Sequence, residues 1–288
     1  MLNINSVLRW QFWGSWQKRL YTRYGPWAVV TGASSGIGRE MALKLAEARL
    51  NLVLTARSQE VLEQMATDLT NRYGIEVRVI GLDLALEKGV ETLEVATQDL
   101  DVGLLIASAG FGTSGSFLNS LLEQEIEMLN VNCRALLGLS WYFGQRFAKR
   151  GGGGMVLMSS IVGFQGMPFA AHYAATKAYV QTLAEALYVE LAPMGVDVLA
   201  SAPAPTNSGF ASRAGMRMSM AMNLADVAEP TLNALGRKST VLPGLLSKLL
   251  TYSLTLLPRW ARVRIMGGVM DGMTKHQRRD KKLELDKR

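Results

Sequence analysis

The sequence predicts an α/β fold, a doubly wound parallel sheet of about seven strands with helices on both faces, as a single domain with an extension at each end. Three observations predict it. Between Trp27 and Leu242, short β-rich runs alternate with longer stretches of helical pattern. Several of those runs are apolar at almost every position, as strands buried on both faces must be. The first run passes straight into a glycine-bearing turn followed by a helical pattern, the opening of a βαβ unit.

Residues 1–25 precede that rhythm, with four Lys or Arg, no acid, and Trp10, Trp13 and Trp16 three apart. The strand runs follow: Trp27–Thr31 (WAVVT), Leu52–Thr55 (LVLT), Val77–Leu82 (VRVIGL), Leu104–Ser108 (LLIAS), Met155–Ser159 (MVLMS), Val196–Ser201 (VDVLAS) and Thr240–Leu242 (TVL). Helix-length segments lie between them, among them Gly38–Arg49, Gln59–Arg72 and Glu123–Arg150. The glycine run Gly151–Gly154 is expected to stop the long third helix and lead into the next strand. The domain is placed at 26–242, with 1–25 and 243–288 as extensions, the second running from apolar to charged.

Composition narrows the function classes. Of the 288 residues, 49% are hydrophobic and 19% charged, which excludes a disordered chain. The net charge of +7 suits an anionic ligand, an anionic membrane surface or nucleic acid, and no base-stacking or recognition motif supports the last. Cys133 is the only cysteine, so no disulfide forms within the chain and a reducing, cytoplasmic setting is expected. The stretch Gly244–Leu257, between Pro243 and Pro258 and carrying Lys248, is shorter than the roughly 20 apolar residues a span requires. The N-terminus lacks the apolar core and small-residue cleavage site of a signal peptide. Its aromatic and basic residues fit an interfacial helix, and together with the apolar stretch Gly244–Leu257 they leave peripheral membrane contact open beside packing on the domain or a subunit interface.

The turn after the first strand is Thr31-Gly32-Ala33-Ser34-Ser35-Gly36-Ile37-Gly38. Glycines there let the backbone bend sharply and approach a pyrophosphate, and the helix N-terminus beyond offers unpaired N–H groups to it. A dinucleotide cofactor is therefore expected on Gly32, Ser34, Ser35, Gly36, Ile37 and Gly38. The second strand ends in Arg57 with no acid until Glu60, which favours NADP(H) over NAD(H), because an arginine accommodates the 2′-phosphate. Arg39, just inside the helix, is a possible helper or a surface residue.

Ser160 follows the fifth run, and Tyr173 and Lys177, four apart, share one face of a helix. An ammonium beside a phenol favours the phenolate, and so brings a tyrosine towards the range useful for proton transfer. His172 is expected to line or pack beside the site, since one histidine is not a ligand set and no metal is called for. Cys133 reads as a buried thiol.

These pieces, in this order, resemble the short-chain dehydrogenase/reductase family over about Trp27 to Leu242: Thr31–Gly38, Ala107–Gly110 (ASAG), Asn130–Asn132 (NVN), Ser160, Tyr173–Lys177 (YAATK) and Pro203–Thr206 (PAPT). The opening Tyr24–Thr31 (YGPWAVVT) is similar to the branch with 17β-hydroxysteroid dehydrogenases and long-chain 3-ketoacyl-CoA reductases. The resemblance implies a Rossmann-like fold and an NADPH-dependent ketone reductase or alcohol dehydrogenase. In it, Tyr173 is the general acid or base, Ser160 holds the substrate oxygen, Lys177 binds the nicotinamide ribose and lowers the tyrosine pKa, and Asn132 positions a relay water. It further implies Asp83 at the adenine amine, with Ala109, Gly110, Pro203 and Thr206 against the cofactor. Residues 204–223 become the substrate lid, where Met216, Met218, Met220 and Met222 suit a lipophilic carbonyl or alcohol and Gly209 and Gly215 are candidate hinges. Family members often form homo-oligomers.

Three departures stand out: Ala107-Ser108 where the family usually has Asn-Asn, Pro203-Ala204 for Pro-Gly, and Ser35 where NADP-preferring members often carry a basic residue. A non-catalytic dinucleotide sensor or scaffold is the competing reading, and such a protein has no chemical need for Asn132, Ser160, Tyr173 and Lys177 together.

Overall fold

The computed structural model describes residues 15–217 and 221–285. Its centre is a seven-stranded sheet in the order β3-β2-β1-β4-β5-β6-β7, every pairing parallel. The strands are β1 (Trp27–Thr31), β2 (Asn51–Ala56), β3 (Val77–Gly81), β4 (Val102–Ala107), β5 (Gly153–Met158), β6 (Val196–Ser201) and β7 (Thr240–Val241). The order reverses between β1 and β4, and in such sheets the crevice beyond the strand C-termini at that point is where ligands bind.

Alternation along the strands assigns each face its layer. Val30, Leu54, Ile106 and Val156 face one way, and are covered by α1 (Ser15–Tyr24), α2 (Gly36–Glu47), α3 (Gln59–Tyr73) and α9 (Ala225–Ala234). Val29, Val53, Leu105 and Leu157 face the other way, beneath α4 (Gly89–Val95), α6 (Leu136–Arg150) and α7 (Ala171–Leu191). The remaining helices are α5 (Leu122–Leu129), the single-turn α8 (Phe210–Arg213), α10 (Gly244–Thr255) and α11 (Arg259–Leu285).

Two sequence expectations are corrected. The segment 123–150 is not one regular helix: α5 and α6 are joined through a π-turn at Asn130–Ala135. Gly153 and Gly154 belong to β5, where a Cβ on Gly154 would lie 2.8 Å from the Tyr24 ring. The strand needs glycine there because α1 packs directly on it. The described part of the N-terminal extension lies against the domain: Leu20 and Tyr24 are fully buried, the Arg19 guanidinium donates to the carbonyls of Leu232, Asn233 and Leu235, and Arg23 and the Tyr24 hydroxyl both bind Asp197. Trp16 packs at the edge of this core, whereas Trp10 and Trp13 lie outside the described residues. No helix among the described residues is long and apolar enough to cross a membrane.

Candidate active site

A cleft of about 380 Å³ runs across the C-terminal ends of the strands. At one end is the turn between β1 and α2. Gly32 adopts φ +68°, and a Cβ there would lie 2.9 Å from Ala109; one on Gly38 would lie 2.5 Å from the carbonyl oxygen of Gly32. The turn thus closes tightly on its own backbone. Ser35, at the N-cap of α2, makes no capping hydrogen bond, so the first amides of α2 have no side-chain partner. Such a turn fits a pyrophosphate. Thr31 fixes the neighbouring loop, its Oγ1 accepting from the amides of Ser108 (3.1 Å) and Ala109 (3.0 Å). The Ala107-Ser108 departure is therefore met by a backbone arrangement that uses neither side chain.

Further along this end of the cleft, Arg57 and Asp83 sit in its wall. The Arg57 side chain is 65% exposed and meets Glu127 at 3.3 Å, a solvated pair that costs little to exchange for a phosphate. Asp83 accepts from the amide of Ala85 at 2.8 Å. Arg39 is exposed and does not line the cleft, so it is a surface residue.

In the middle, Ser160, Tyr173 and Lys177 converge on the cleft wall, together with Gly110, Pro203 and Thr206. Burial pushes the Tyr173 hydroxyl above its ordinary pKa, and a hydrogen bond with Ser160 opposes that. Lys177 is buried too, and burial lowers its ammonium to about 8. Its Nζ donates to the carbonyl of Met158 at 2.7 Å and stands 5.8 Å from the centre of the Tyr173 ring. The expected lowering of the tyrosine by the lysine is thus outweighed: desolvation dominates both groups and disfavours charge on either.

Asn132 differs in place from what the sequence suggests. It is buried on the π-turn and does not line the cleft. Its side chain grips the backbone of Phe111 in both directions, Oδ1 accepting from the amide at 3.2 Å and Nδ2 donating to the carbonyl at 2.9 Å, and Nδ2 also reaches Thr176 Oγ1 at 3.1 Å. A Cβ on Gly110 would lie 2.9 Å from Asn132 Oδ1, so Asn132 backs this part of the wall. His172 lies outside the cleft, its Nδ1 2.9 Å from Glu125 on α5. Cys133 is buried, its Sγ 3.9 Å from the carbonyl of Thr176.

The far end of the cleft is apolar. Phe210 of α8 packs against Tyr173, ring centres 5.2 Å apart, and Met216 joins it. Gly209 (φ +71°) and Gly215 (φ +66°) bracket α8 in the left-handed region that glycine tolerates. Met222 is buried beneath Gly244 rather than facing the cleft, and Met218 and Met220 lie outside the described residues.

Several lining residues were not found from sequence. Leu250 and Leu254 of α10, and Met266, Met270 and Met273 of α11, complete the apolar wall. The i, i+4, i+7 spacing of those methionines was the available signal. Arg213 also lines the cleft and its guanidinium reaches Ser35 Oγ at 3.4 Å, tying α8 to the turn between β1 and α2. Gln277 locks α11 against this region, donating to the carbonyl of Gly215 at 2.8 Å and to Ser114 Oγ at 3.1 Å.

Comparison with known proteins agrees with this geometry. The family described as short chain dehydrogenase matches residues 26–218. A 7beta-hydroxysteroid dehydrogenase of Clostridium sardiniense is 32% identical over 230 residues, covering 78% of this chain and 88% of its own. A very-long-chain 3-oxoacyl-CoA reductase of Pyrenophora tritici-repentis is 35% identical over 62% of this chain, a match spanning only 54% of that protein. Among solved structures, a short-chain dehydrogenase from Sphingobium yanoikuyae in complex with NADPH superimposes with a TM-score of 0.75, at 30% identity, over 84% of this chain and 95% of that one.

Proposed function

Because this chain belongs to the short-chain dehydrogenase family, oxidoreductases that act on CH–OH groups, we propose that it interconverts a ketone and a secondary alcohol on a lipophilic substrate, with NADP(H) rather than NAD(H) as cofactor. One observation carries the reading: the cleft joins a phosphate-fitting turn to an apolar chamber, and Tyr173 and Ser160 stand at the junction.

Residues of this chain would hold the cofactor along its length. The amides of Ser34 to Gly38 take the pyrophosphate, Arg57 the 2′-phosphate, Asp83 the adenine, and Ala109, Gly110, Pro203 and Thr206 the nicotinamide half. When bound, the nicotinamide supplies or accepts the hydride. Lys177, anchored on the carbonyl of Met158, would hold the ribose hydroxyls.

Tyr173 performs the proton transfer. Burial keeps its hydroxyl protonated at neutral pH, so in the reducing direction it gives that proton to the carbonyl oxygen as negative charge develops there. Ser160 donates to the same oxygen and fixes its position. Asn132 acts as a positioning residue, holding Phe111 and through it the loop that carries Gly110.

The apolar chamber, walled by methionines and leucines, favours a bulky or long hydrocarbon substrate over a sugar. A steroid-like ketone and a 3-oxoacyl thioester both answer that description, as the names of the relatives suggest. The test is oxidation of NADPH and of NADH, followed by absorbance, against steroid ketones, 3-oxoacyl thioesters and small ketones. Turnover is expected with NADPH on the first or second class, and its loss in Tyr173→Phe with nucleotide binding intact. Full activity in that variant would overturn the mechanism.

A further inference from the structure

We propose that α10, with the turn into α11, docks on an anionic lipid bilayer, seating the apolar end of the cleft at the membrane surface. The docking stands apart from the reaction; only its consequence, uptake of substrate directly from lipid, rests on the lipophilic-substrate reading.

Helix α10 is apolar on two opposite faces. Inward, Leu250 and Leu254 line the cleft and Ser247 accepts from the amide of Ala204 at 2.8 Å. Outward, Leu245, Leu249, Tyr252 and Leu256 recur at i, i+4, i+7 and i+11, which places them in one stripe. They are 77%, 66%, 63% and 93% exposed, and Trp260, just beyond the turn into α11, is 63% exposed. A helix with apolar residues on two opposite faces belongs between two apolar media. Here the domain supplies only one.

Charge indicates what supplies the other. From residue 230 to residue 270 the chain has no Asp or Glu, yet it carries Arg237, Lys238, Lys248, Arg259, Arg262 and Arg264. Lys248, Arg259 and Arg264 are exposed beside the stripe, with Arg264 over the Trp260 ring at 5.3 Å. Aliphatic side chains, a tyrosine and a tryptophan at the edge, and basic residues without acids form the pattern of a helix lying in an anionic interface. A second copy of this chain is a poorer occupant, because a two-fold contact would set the same basic residues against one another. Neither helix is both long and apolar enough to span, so this region lies on the surface.

The test is co-sedimentation of the full chain with vesicles of phosphatidylcholine alone, or of equal parts phosphatidylcholine and phosphatidylglycerol, at low and high salt. Binding is expected to the anionic vesicles and to weaken with salt. Leu249→Glu with Leu256→Glu should lower it about tenfold or more. Lys248→Glu with Arg259→Glu, a second pair that spares the stripe, should lower it about fivefold per residue. None of the four lines the cleft, so reduction of a water-soluble ketone should be unchanged in whichever pair melts like the wild type. Wild-type protein left in the supernatant with anionic vesicles would overturn the proposal. So would undiminished binding in both pairs, or a lipid-free dimer that the glutamates dissociate. Binding without any ketone reduction would leave the surface standing and remove the reaction instead.

Discussion

Lys177 offers a quantitative test of how the buried site is built. Its ammonium is lowered from an ordinary 10.5 to about 8 by burial. Below pH 8 both folded and unfolded chains carry the proton, and the folded state bears the full cost of the buried charge. Between pH 8 and 10.5 the unfolded chain holds a proton the folded chain has shed, so stability rises with pH across that window. A separation of about 2.5 pH units at 1.36 kcal/mol each amounts to roughly 3 kcal/mol. Lys177→Met removes this titration while leaving the other groups in place; loss of the bond to the Met158 carbonyl adds an offset. Urea unfolding of both proteins, without nucleotide, from pH 7 to pH 10.5 gives the difference directly. Wild type minus variant should be flat to about pH 8, then climb by about 1.4 kcal/mol per pH unit. A flat difference throughout, or a fall, would refute the account of Lys177 as a desolvated ammonium.

Other perturbations probe separate parts of the molecule. Gly38→Ala sets a Cβ 2.5 Å from a backbone oxygen, and should cost about 1–3 kcal/mol in urea unfolding and abolish NADPH binding by fluorescence titration. Arg57→Leu should raise the KM for NADPH about tenfold while leaving that for NADH unchanged, since a charge-assisted hydrogen bond contributes about 1.5–3 kcal/mol; equal effects on both would remove Arg57 from the 2′-phosphate site. Tyr24→Phe breaks a 2.7 Å bond to Asp197 and should cost about 1.5–3 kcal/mol of stability with kcat unaltered. Met270→Ala, at a buried position in the cleft wall, should cost about 2–5 kcal/mol and raise the KM for bulky ketones more than for small ones.

What the sequence revealed was mainly what is local. The β1 and β6 runs match the observed strands residue for residue, because buried parallel strands are nearly all apolar and sharply bounded. The glycine turn was readable for the same reason, since its neighbours in space are its neighbours in the chain. Gly153 and Gly154 misled because glycine usually weakens a strand; Phe147 takes the space of a Cβ on Gly153, and the Tyr24 ring, far away in sequence, takes that of one on Gly154. The contact of Arg213 with Ser35 joins positions 178 residues apart, which no periodicity reveals. The methionines of α11 recur at i, i+4 and i+7, yet nothing in that spacing says which part of the domain they pack against. The spacing of Tyr173 and Lys177 suggested a lowered tyrosine pKa, whereas the protonation of both depends on how deeply the fold buries them.

Much of the cleft's apolar wall comes from a stretch of the chain separate from the rest of the site, although Phe210 and Met216 contribute to it from before residue 218. The phosphate-fitting turn and the residues around the reacting centre all lie before residue 218, within the stretch that matches the family, whereas the hydrocarbon-facing wall of α10 and α11 begins at residue 244. Under the proposed function, a chimera joined in the loop before Gly244 would take part of its substrate preference from the donor of the tail, provided the donor keeps the contacts of Ser247 with Ala204 and of Gln277 with Gly215 and Ser114.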